Sequence, residues 1–62
     1  MAYRFGLFLN PQPSDSAETT EALAADKARA MSIANNGTPV AVWDDENRTL
    51  RLFAGYEEFV PA

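Results

Sequence analysis

The hydrophobic period of this chain changes sharply at Asn35-Asn36-Gly37-Thr38-Pro39, and no other feature limits the fold as much. Before it, alanine dominates from 17 to 34, and alanine has the best intrinsic helix propensity. Asn-Asn-Gly ahead of a proline is a helix C-terminal signature: Asn36 or Gly37 supplies the left-handed residue, and Pro39 prevents continuation. After it, the period becomes two. Val40 and Val42 point one way and Ala41 and Trp43 the other; Leu50 and Leu52 oppose Thr49, Arg51 and Phe53. Alternation on both sides of a polar segment predicts an antiparallel hairpin with a loop of about three to five residues. Asn47 is the best non-glycine residue there for a left-handed position. Pairing Val42 with Leu50 or Leu52 gathers four aliphatics on one face, whereas a slip of one residue mixes them with Arg51. The aliphatic register is therefore the expected one.

Upstream, YRFGLFL at 3–9 reads as a strand, with Gly6 a bulge or a point of close backbone approach. Both of its faces carry aromatic side chains. Two prolines and a cluster of capping residues make 10–16 a loop. Asp15 and Glu18 have capping-box spacing, with Ser14, Ser16 or Thr19 as other caps, so the helix is expected over 16–35. A helical wheel places Thr20, Leu23, Ala24, Ala30, Met31 and Ala34 on its inner face, small enough for the helix to lie close on a sheet. Lys27 falls in that stripe and is read as a snorkelling side chain. Strands at 39–44 and 48–54 and a tail at 55–62 complete a single domain over 1–62. The predicted class is α+β: a two-layer β-α-β-β domain, one helix on a three-stranded, mainly antiparallel sheet, with a possible short C-terminal strand. The preferred order puts the third strand in the middle, beside the first. The alternative, pairing the first with the second, would make those two parallel.

Composition narrows function more by exclusion than by signal. A chain of 62 residues sits near the lower limit for folding without staples, and it has no cysteine and no histidine. Disulfides, thiolate metal sites, the commonest general base and the commonest transition-metal ligand are all excluded. A net charge of -4 repels phosphate backbones on average. No secretory leader and no apolar run of about 20 residues is visible, so a soluble, cytoplasmic protein is expected. There is no glycine-rich phosphate loop, and the three serines lack a visible base. The expectation is a protein that is not an enzyme and takes no cofactor or metal.

Two surfaces remain as candidates. With the aliphatics under the helix, Trp43, Arg51, Phe53 and one or more of Tyr3, Phe5 and Phe8 would stand on the uncovered sheet face, an aromatic patch of the kind that marks contact. The second surface is acidic: Glu18 and Glu21 on the helix, and Asp44, Asp45 and Glu46 at the hairpin tip. The tip lacks the alternating ligands and glycine of a calcium loop and reads as a solvated turn. The leading reading is a small acidic regulatory module that binds a partner protein through one of these surfaces. Alternatives are a homodimer or assembly subunit using the sheet face, and a phage-type inhibitor whose carboxylates mimic nucleic acid. Single-stranded nucleic-acid binding by the aromatic face is the least favoured, for want of a basic stripe.

Overall fold

A computed structural model describes residues 2–9 and 16–61. The chain is α+β, with one helix packed on an open antiparallel sheet of five strands. In chain order these are β1 (Tyr3–Leu7), β2 (Ser16–Glu18), α1 (Glu21–Ala34), β3 (Val40–Trp43), β4 (Thr49–Ala54) and β5 (Glu57–Phe59). Their order across the sheet is β2-β1-β3-β4-β5. The five strands replace the three expected: the C-terminal strand is present as β5, and β2 occupies residues assigned to the helix. Residues 10–15, read as a loop and including the candidate caps Ser14 and Asp15, lie outside the described residues.

The helix begins later than the alanine content suggests because Thr20 caps it. Thr20 is extended (φ −128°, ψ 152°), and its side chain accepts a hydrogen bond from the Leu23 amide at 3.2 Å. Upstream of the cap, 16–18 pair along β1, with Tyr3 opposite Glu18 and Phe5 opposite Ser16. Edge pairing there overrides the helix propensity of Ala17 and Glu18. This extra strand also decides the sheet order. It reverses the chain once more before the helix, so β3 returns antiparallel to β1 and takes the centre, with Phe5 opposite Val42 and Leu7 opposite Val40. The preferred order, with the 48–54 strand beside the first, is thereby corrected; the alternative adjacency of the first strand and 39–44 is the observed one, but antiparallel rather than parallel. Gly6 pairs regularly with Ala41; the bulge falls instead between Val42 and Trp43.

The inner face of α1 is an i, i+4, i+8 stripe of small residues, Ala24, Ala28 and Ser32, all fully buried. Leu23, Ala30 and Ala34, expected inside, are exposed. The stripe packs on Phe5, Val40, Val42 and Phe53, with Tyr3, Ala25 and Met31 at its margins. Small residues let the helix approach the sheet, and the volume of the core is supplied by the strands. At the C-terminus, Asn36 and Gly37 both take positive φ (59° and 82°), and the Gly37 amide bonds the Ser32 carbonyl at 2.8 Å. The Ser32 hydroxyl donates to the Thr38 carbonyl and accepts from the Gly55 amide, each at 2.7 Å. One buried serine thus joins the end of the helix, the entry to β3 and the β4–β5 turn.

Candidate functional site

The β3–β4 register is the slipped one. Val40 pairs with Phe53 and Val42 with Arg51, so Phe53 and Arg51 lie on the helix side, and Leu52 lies on the far side opposite Phe59. Two of the residues expected on the uncovered face therefore belong elsewhere. Phe53 is fully buried in the core, with the Arg29 guanidinium 5.1 Å from its ring centroid. Arg51 donates to Glu21 at 2.7 Å and to Glu58, which also pairs with Arg29 at 3.5 Å. The bond to Glu21, and secondarily that to Glu58, raises the Arg51 pKa above its usual range. Tyr3 likewise packs against the core cluster on the helix side. Physically, Phe53 is larger than either leucine and fills more of the core, while two carboxylates receive the arginine at its edge.

Trp43 does lie on the side away from the helix, opposite Arg4 and Thr49. It is only 5% exposed, with the Arg4 guanidinium 5.5 Å from its ring centroid. Trp43 is thus a floor rather than a projecting anchor. Around it on this face stand Arg4, Leu50 and Leu52, each half-buried, and Phe8 and Phe59, exposed. Among the described residues, no helix or strand covers this side of the sheet.

The acidic tip is an ordered turn. Asp44 and Asn47 close it through an amide-to-carbonyl bond of 3.0 Å, Asn47 is left-handed (φ 62°), and the Asp44 amide bonds the Arg48 carbonyl. This is a three-residue loop with a bulge, within the expected range. Asp44 is 6% exposed, and its Oδ1 accepts the Glu46 and Arg48 amides, each at 2.9 Å. Its Oδ2 accepts Arg48 Nε at 2.9 Å. The Arg48 amide is the chief cause that holds this carboxyl below 3.8, aided by the Arg48 guanidinium and the Glu46 amide and opposed by burial. Asp44 is therefore spent on the hairpin. Asp45 accepts from the Ala2 amide at 3.0 Å, Glu46 faces Arg48, and Glu18 pairs with Lys27, which keeps its amine outward as the snorkelling reading expects.

A folded-state pKa below the unfolded value gives stability that is complete above about pH 4 and lost as pH falls through the lower folded value. The melting temperature is expected to drop on acidification through that window. In Asp44→Asn it should start lower and drop less, because a neutral amide cannot accept from both amides and the guanidinium. Thermal melts across pH by circular dichroism check this; parallel curves for the two proteins would show that Asp44 does not carry the dependence.

Sequence reasoning missed three contributors to these surfaces. Glu58 and Arg29 join Arg51 and Glu21 only through the β4–β5 pairing, and Arg4 reaches Trp43 only because β3 is central. The chain near Arg4 offered one signal, a cation alternating with aromatics in YRF. Among the described residues no group of three acidic side chains could hold a metal ion, and no helix is long and apolar enough to cross a membrane. No protein-family model matches the chain, and no curated protein or solved structure shows significant similarity to it.

Proposed function

We propose that this is a small non-catalytic interaction module whose contact surface is the sheet face opposite α1. The observation that carries the reading is the set of apolar side chains left partly in water there: Phe8, Leu50, Leu52 and Phe59 around the buried Trp43. A chain this short has little apolar surface to spare, and surface of this kind is of greatest use where it is covered by protein. The acidic alternative has less support. Glu18, Glu21 and Asp44 are held by Lys27, Arg51 and Arg48, so the carboxylates that a nucleic-acid mimic would display are largely engaged within the molecule.

The test is a double variant, Leu52→Ser with Phe59→Ser, used as bait beside the wild type against extract of the native host and against a differently tagged copy of itself. Its circular dichroism should match the wild type, since neither residue is in the core. Retention of specific protein should fall by about tenfold or more. Undiminished retention by a folded double variant would remove this face from consideration.

A further inference from the structure

We infer that the occupant of this face is a second copy of the same chain, held by Arg4 of each copy against Glu57 of the other. The inference rests on the reading of the face as a contact surface. Among the described residues, Lys27, Arg29, Arg48 and Arg51 each hold a carboxylate, and Arg4 holds none. Its Nε is buried without a hydrogen-bond partner, although the chain carries nine acids to five bases. An arginine stacked on a tryptophan beside exposed apolar side chains is a recurrent interface anchor.

The same face offers the complementary charge. Ala54 pairs with Glu57 and Leu52 with Phe59, which puts Glu57 on the uncovered side, exposed and without an ion pair among the described residues. Arg4 lies on β1 at the level of Trp43, whereas Glu57 lies on β5, four residues along the ladder. At about 4.8 Å per strand and 3.3 Å per residue, they lie at the two ends of a diagonal of the face, about 14 Å apart across the strands and 13 Å along them. Phe8, Leu50, Leu52 and Phe59 lie elsewhere on that face. A two-fold axis in the plane of contact, along the other diagonal, brings each Arg4 over the partner's Glu57 and crosses the strands near a right angle, a known mode of sheet packing. One cation and one anion at the two ends of a diagonal make the face complementary to itself.

The molecule measures 29 × 25 × 19 Å, so even the rectangle bounding its broad face is below the ~800 Å² per partner of a standard interface, and the expected self-association is weak. A partner of strongly basic chemistry would meet Arg4 unfavourably, whereas a second copy offers each Arg4 a Glu57 and each Glu57 an Arg4.

Sedimentation equilibrium and light scattering over roughly 1 to 300 µM test the inference, since interfaces of this size can bind in the micromolar range. The wild type should reach twice the 6.8 kDa chain mass. Arg4→Glu and Glu57→Arg should each weaken self-association by about tenfold or more, and the double charge swap should restore it. Glu57 is exposed, so Glu57→Arg remains informative even if Arg4→Glu fails to fold. A wild type that stays monomeric at the highest concentration overturns the inference, and so does a folded Glu57→Arg that dimerises normally. A monomer that still loses a different captured protein on Leu52→Ser with Phe59→Ser leaves the face as a contact surface and eliminates the second copy as its occupant.

Discussion

Phe53→Ala is expected to leave little folded protein at room temperature. Phe53 is fully buried between the Ala24–Ala28 stripe, Val40 and the Arg29 guanidinium. Truncating a core phenylalanine costs about 3–5 kcal/mol, and a single core this small supplies no more than about 3–5 kcal/mol in all. Leu52→Ala, on the far side and half-buried, should cost roughly 1 kcal/mol and leave a cooperative transition. Urea titrations followed by far-ultraviolet circular dichroism separate the two. In the aliphatic register the ranking would invert, because Leu52 would then be in the core and Phe53 at the surface. A folded Phe53→Ala beside an unfolded Leu52→Ala would therefore overturn the Val40–Phe53 pairing.

The second large effect is expected at Ser32→Ala, a change of one atom inside a helix that intrinsic propensity alone would score as favourable. Its hydroxyl serves two elements at once, donating to Thr38 and accepting from Gly55. Removing it takes the partner from a half-buried amide, at a cost of about 1 kcal/mol. Gly55 takes a left-handed φ of 64° in that turn, and a Cβ built there would meet the Gly37 Cα at an ordinary contact distance of 3.7 Å. The variant should show a lower urea midpoint and faster hydrogen exchange at the Gly55 amide specifically. Unchanged exchange at that amide would mean that the serine does not hold the turn.

These two residues also mark how far the sequence could be read. The hairpin, its loop length, left-handed Asn47 and the helix stop at 36–37 were legible because each depends on a few adjacent residues and on local backbone energetics. The α+β class and the close-lying helix followed from the change of period and from the alanines. Register was not legible. Alternation says only that two faces exist, and the choice between them depended on which side chain fills the space beneath a helix and on where Arg51 finds its carboxylates. Aliphatic matching across the hairpin counted Leu50 and Leu52 for more than one phenylalanine, and the core chose the phenylalanine.

The surface was affected in the same way. Trp43 was correctly assigned to the side away from the helix, but its burial beneath Arg4 required knowing that β3 lies in the middle of the sheet. Asp44 stands among three consecutive acids, yet its carboxylate turns back onto Glu46 and Arg48 and gives the loop its shape. By itself the sequence determined the local elements and their ends, because helix caps, tight turns and hydrophobic period are short-range properties. Tertiary structure alone decided the three-residue β2 strand, the strand order that followed from it and the side of the sheet on which each charge lies. Those outcomes depend on pairing between segments distant in the chain, where one added reversal or a slip of one residue changes every partner.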